Sequence, residues 1–158
     1  MSCMDQLLIW RHTGLKIIYE KRVTGCQPCE IRNFINCIME RINSWKRLSD
    51  ENEYQIRLIL NELIANGTIH GNKGICTKGI TASVMVSEAD TLCITIQDDG
   101  KGFNYNEICG DNAISIPDPY SECGRGLKLI KAICDDIKFN QSGNKIRILK
   151  SLNQQSIH

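Results

Sequence analysis

The chain lacks any apolar run longer than the four residues Leu7–Trp10, which excludes a membrane span and the hydrophobic core of an export signal. It also lacks net charge: 19 basic residues against 18 acidic ones leave +1. No basic field is available for direct nucleic-acid binding, and no acidic tail is present. No repeat, low-complexity tract or Pro/Gly/Ser-rich linker divides the 158 residues, so one domain of ordinary size is expected. Cysteine, by contrast, is plentiful. Nine are scattered through otherwise apolar segments, an odd count in a chain too long for a small secreted disulfide scaffold. Most are therefore expected to serve as small core hydrophobes in a reducing, cytoplasmic setting.

Periodicity supplies the elements. Residues 15–23 read as a first strand with Ile17 and Tyr19 on one face. From Pro28 to Trp45, apolar residues recur at three- and four-residue spacing, which predicts an amphipathic helix with Pro28 in its first turn. A second helix is expected from Asp50 to about Gly67, capped by Asp50 with Glu53, its stripe made by Ile56, Ile59, Leu60 and Leu63. The period then changes to two: Ile80, Ala82, Val84 and Val86 alternate, as do Leu92, Ile94 and Ile96, with a turn at Ser87–Asp90. Residues 103–123 hold two of the three prolines and no sustained period, the mark of a functional loop. A helix over Gly124–Asp135 and two short strands near 137–140 and 145–150 close the chain. This order predicts an α+β fold, a two-layer α/β sandwich with a mixed, mostly antiparallel sheet covered on one face by three helices.

Three segments carry chemistry. In NELIANGTIHG (61–71), Glu62 and Asn66 lie four apart on the second helix and project from one face, bordering the apolar stripe. A carboxylate and an amide at the rim of a core suit proton handling and metal coordination, though a solvated surface pair would look the same. In IQDDGKGF (96–103), Asp98 continues the parity of Leu92, Ile94 and Ile96 and so points to the core side, whereas Asp99 points away. A carboxylate so placed needs a donor, and the exocyclic amine of a purine is a suitable one. Gly100 and Gly102 allow a ligand ring to approach the backbone closely. In GRGLKLIK (124–131), Gly124 and Gly126 open a helix whose free amides and dipole favour phosphate, with charge added by Arg125 and Lys128. The P-loop pattern and the third glycine of a dinucleotide fingerprint are both absent.

In order and spacing, these segments resemble the N, G1 and G2 boxes of the Bergerat-fold (histidine-kinase-like) ATPases. Within that superfamily, Glu-x-x-x-Asn with Ile-His-Gly, then Asp-x-Gly-x-Gly, then Gly-Arg-Gly-Leu-x-Leu-Ile, is most similar to the anti-sigma-factor serine/threonine-protein kinases. The resemblance covers nearly the whole chain. It implies ATP and Mg²⁺ as cofactors, Glu62 as the general base, Asn66 as the metal ligand, and Asp98 as acceptor for the adenine amine. Gly100 and Gly102 would flank the base, and Gly124, Arg125, Gly126 and Leu127 would form the phosphate side. It further implies a histidine-kinase-like ATPase domain over 13–152, an ATP lid at about 103–123, and an unassigned N-terminal leader over 1–12. The implied activity is transfer of the γ-phosphate of ATP to a serine of an antagonist (anti-anti-sigma-like) protein in a partner-switching system. The alternative is a non-catalytic, ATP-dependent module that sequesters a sigma factor or another target. A homodimer is compatible with either, and a membrane or nucleic-acid partner with neither. Gly67 departs from the alanine common in the family, which weakens the helix end without removing a ligand.

Cys26-Gln-Pro-Cys29 precedes a helix, where a thioredoxin-type redox pair would sit. The elements that follow lack the thioredoxin alternation, and no second Cys-x-x-Cys exists for zinc. A complete sensor histidine kinase is not expected in 158 residues, and His70 reads as packing beside the nucleotide site rather than as a phosphoacceptor.

Overall fold

The computed structural model describes residues 14–102 and 122–153, with side chains of the last helix described from Gly126. The expected leader and most of the expected lid lie outside the described residues. Five strands, β1 (Lys16–Thr24), β2 (Gly79–Val86), β3 (Thr91–Asp98), β4 (Asp136–Phe139) and β5 (Lys145–Ser151), form one sheet in the order β1-β2-β3-β5-β4. All four pairings are antiparallel. Helices α1 (Pro28–Trp45), α2 (Asp50–Asn66) and α3 (Glu122–Ile133) complete an α+β arrangement. Among the described residues, no helix is long and apolar enough to cross a membrane.

The stripes anticipated from spacing are the ones buried. Phe34, Ile35, Ile38, Met39 and Ile42 of α1 and Ile56, Ile59, Leu60, Leu63 and Ile64 of α2 meet Ile80, Ala82, Val84, Leu92, Ile94, Ile96 and Ile148 of the sheet in one core. Local chemistry fixes the helix starts. Glu30 reaches back to accept from the Gln27 amide at 2.9 Å, with Pro28 following as the first helical residue. At α2 the cap is Ser49, not Asp50: its hydroxyl accepts from the Asn52 amide at 3.2 Å, and Asp50 stands inside the first turn, where its charge complements the helix dipole. Lys150, buried on β5, donates to the Ile133 carbonyl at 2.9 Å and so closes the C-terminal end of α3.

Two expectations fail for reasons of pairing. Ile17 and Tyr19 do not share a face, because the register of β1 against β2 slips between them: Ile17 opposes Met85, and Tyr19 opposes Val84. The extra residue at Ile18 is a bulge that turns Ile17 outward, 55% exposed, and keeps Tyr19 against Phe34. The cysteines, too, are mostly not core residues. Of the free ones described, Cys93 is buried, Cys134 half-buried, and Cys29 and Cys37 exposed.

Cys26 is bonded to Cys76, not to Cys29. Fifty residues separate the pair in sequence, and the Gly25 amide bonds the Cys76 carbonyl at 3.1 Å, which draws the two loops together. A loop of that length corresponds to about 4 kcal/mol of unfolded-state entropy in the chain-closure description. Reduction of this bond is therefore expected to lower the melting temperature by roughly 5–15 °C, read by a thermal scan with and without reductant. An unchanged melting temperature would show that the loops are held by packing alone.

Candidate nucleotide site

Helix α2 does not stop at Asn66. It widens into a π-helical turn, Gly67–Gly71, closed by the Asn72 amide donating to the Gly67 carbonyl at 2.7 Å. This turn, the end of β3 and the β4–β5 connection enclose a narrow cleft lined by Asn66, Gly67, His70, Gly71, Asp98 and Leu127, with Asn144 and Lys145 on its far side. Asn66, Asp98 and Leu127, singled out on three different elements, are thus brought to one place. His70 lines the same cleft while remaining exposed.

Asp98 is 9% exposed and faces the core side, as its parity requires. Burial is the main cause that raises its carboxyl above the ordinary value; the Gly100 amide, donating to Oδ1 at 2.8 Å, partly opposes it. Gly71 stands against this carboxylate so closely that an added Cβ would overlap it. Gly100 lies against the Gly71 carbonyl in the same way. The bareness of both glycines is what leaves one edge of Asp98 open to a ligand. A cradle that any Cβ would fill, ending on a buried acceptor that backbone amides only partly satisfy, fits a planar amine-bearing base.

Asp99 turns the other way, as expected. It pairs with Arg22 and accepts from the Gly79 amide at 2.7 Å, and the Arg22 contact holds its carboxyl below the ordinary value. Buried Asn72 ties the two neighbourhoods: its side chain accepts from the Asp99 amide at 2.9 Å and donates to the Gly79 carbonyl at 3.0 Å. Asn144 donates to the Asp98 carbonyl at 3.3 Å, and its own carbonyl accepts from the Asp98 amide at 2.9 Å. Gly102, at φ 78°, presses on the carbonyl of Ser142 in the same connection. Neither Asn72 nor Asn144 was picked out from sequence. Gly71 fell within a motif without a role of its own, although its position just past a helix was a signal for close approach.

The third segment needs correction. Helix α3 begins at Glu122, two residues before Gly124. Gly124 and Arg125 therefore lie in the first turn, whose amides have no partner within the helix, while Gly126 lies in the second. Gly126 has a different use: its missing Cβ leaves room for the Glu62 carboxylate, which a methyl there would strike. Glu62 and Asn66 are both half-buried. Gly67 also has a packing reason, since a Cβ there would come within 2.7 Å of Ile80 Cδ1. Among the described residues, no cluster of three or more His, Cys, Asp or Glu side chains could hold a metal alone.

Known proteins are similar to this chain. The profile of the histidine kinase-like ATPase domain matches residues 28–150. The anti-sigma F factor of Bacillus subtilis (strain 168) is 25% identical over 103 residues, which span 63% of this chain and 70% of that protein. Among solved structures, the histidine kinase domain of the Erythrobacter litoralis EL346 blue-light activated histidine kinase aligns with a TM-score of 0.49 at 18% identity. That alignment covers 79% of this chain and 62% of the other.

Proposed function

Because the chain belongs to the histidine kinase-like ATPase domain family, we propose that it binds Mg-ATP in this cleft and transfers the γ-phosphate to a serine of a small antagonist protein. The observation that carries the transfer is the placement of Glu62. Its carboxylate lies beside Gly126 at the start of α3, one helical turn from Asn66, and makes no hydrogen bond or ion pair among the described residues. A half-buried carboxylate that the described residues leave unpaired, next to helix amides suited to phosphate, is available to take a proton from an attacking hydroxyl.

The roles divide by position. Asp98 accepts the amine of the base, and Gly71 and Gly100 set how near the ring can come. The cleft holds about 50 Å³, so seating a base moves the exposed His70 and Lys145 side chains outward. Leu127 supplies an apolar wall beside Asn66. Gly124 and Arg125, in the first turn of α3, supply amides to the phosphates. Mg²⁺ would be held by the Asn66 amide oxygen together with phosphate oxygens and water, and would neutralise charge on the transferred group. Transfer on this plan is mainly positioning. The similarity to an anti-sigma factor supports a protein antagonist as acceptor and a sigma factor as the protein held in the ATP-bound state.

The experiment follows label from [γ-³²P]ATP into candidate antagonist domains, alongside ATP calorimetry. Wild type is expected to label a serine, and Glu62→Ala to lower the rate about 100-fold or more while ATP affinity stays within about threefold. ATP binding without transfer to the cognate antagonist would replace this reading with that of an ATP-dependent binding module.

A further inference from the structure

After the π-helical turn the chain reaches β2 through a connection in which residues 73–77 are all exposed. It adds no side chain to the buried core, so its shape depends on a short set of bonds. On the cleft side, the Asn72 amide closes the π-helical turn and the Gly74 amide donates to the Thr68 carbonyl at 2.9 Å. Lys73, between them, is left-handed at φ 54° without being a glycine, a conformation that persists only where the surroundings hold it. On the other side, Cys76 is bonded to Cys26, with the two Cα atoms 5.0 Å apart, an ordinary separation for a disulfide. Cys76 is exposed and Cys26 half-buried, so a thiol can approach from solvent.

We propose that the Cys26–Cys76 bond is a site of reversible thiol–disulfide exchange with a dithiol reductant, and that its state sets the affinity of the nucleotide cleft. One thiolate of the dithiol attacks Sγ of the exposed Cys76, and Cys26 leaves as a thiolate that takes up a proton. The second thiol of the reductant then attacks the mixed disulfide, frees Cys76 and closes the reductant's own disulfide. Two electrons and two protons pass to the protein, and a disulfide oxidant reverses the sum. The link to the cleft is short. Asn72 begins the connection, and its side chain bonds the Asp99 amide and the Gly79 carbonyl. Gly71, its neighbour, stands against the Asp98 carboxylate. With the tether open, Lys73 is free to leave its left-handed conformation, and the Asn72 backbone turns with it. That movement loosens Gly71 and the Asp98–Asp99 peptide together, so the reduced form binds ATP more weakly. Only this last consequence rests on the proposed function; the loosening is measured without nucleotide.

The test compares the full chain before and after dithiothreitol, and again after reoxidation with oxidised glutathione, well below the melting temperature. Amide hydrogen exchange by NMR, without nucleotide, is expected to quicken about fivefold or more at Asn72, Gly74 and Asp99 on reduction. The Ile94 amide, in the centre of the sheet, should not change. ATP affinity by calorimetry is expected to fall about fivefold or more and to return on reoxidation. Cys76→Ser should resemble the reduced form and ignore the reductant, whereas Cys29→Ser should switch as wild type does. Unchanged exchange at the three amides would overturn the coupling, and a response that survives in Cys76→Ser would assign it to another cysteine. Loss of the circular dichroism spectrum on reduction would make the bond a structural staple and overturn the switch. Quickened exchange with unchanged ATP affinity would overturn control of the cleft. If the oxidised wild type fails to bind ATP, the proposed function falls while the amides still decide the coupling.

Discussion

Asp98→Asn is expected to weaken ATP binding about 100-fold or more by calorimetry, the loss of a charge-assisted hydrogen bond in a buried site. The size of the effect comes from the surroundings. The carboxylate is buried and its backbone is fixed by the amide and carbonyl of Asp98 against Asn144. Asparagine keeps the shape but offers an N–H₂ where the ligand also presents a donor. Binding within about threefold of wild type would remove Asp98 from the recognition of the base.

The pH dependence has a definite sign. Burial raises the Asp98 carboxyl above its unfolded value, so its contribution to folding stability is present at low pH and declines as pH rises through the raised value. The ionised carboxyl accepts a hydrogen bond from the base more strongly than the protonated one, so ATP affinity is expected to rise over that same interval. Asp99 behaves oppositely: Arg22 lowers its carboxyl, so its stabilisation is present above the unfolded value and is lost as pH falls through the lowered one. That contribution is small, because both partners are exposed.

The second large effect is at Gly100. A methyl there would overlap the carbonyl of Gly71 and come within 2.7 Å of Asp98 Oδ1. The first obstacle is backbone and cannot rotate away, unlike the side-chain end that Gly126 faces. Gly100→Ala is therefore expected to separate the β3 end from the π-helical turn and lower ATP affinity by about tenfold or more, with the circular dichroism spectrum retained. Unchanged affinity would mean that the two segments are not required to touch.

Much of this was legible in the chain itself, and the remainder was hidden for identifiable reasons. Alternation along Leu92, Ile94 and Ile96 was enough to aim Asp98 inward and Asp99 outward, because side-chain parity is local. The stripes of α1 and α2 were readable on the same ground. The bulge at Ile18 was not, since an inserted residue is a property of two strands and not of one. The Cys26–Cys76 bond joins loops fifty residues apart, whereas the nearer Cys29 offered a more conspicuous spacing. The glycine pair suggests a helix boundary at Gly124, yet the helix begins at Glu122 and Gly126 stands inside it, where a Cβ would strike Glu62. Asn72 and Asn144 are polar residues in turns, where their type is unremarked; only the strands they bridge give them purpose.

The π-helical turn at Gly67–Gly71 has a consequence for how one helix can serve two masters. Residues 56–64 must keep phase with the sheet below them, and Gly71 must arrive beside Asp98. A single uninterrupted spiral has one pitch and cannot be tuned to both targets independently. One wider turn acts as a phase shifter, so the angular setting of the ligand-facing residues is freed from the angular setting of the core.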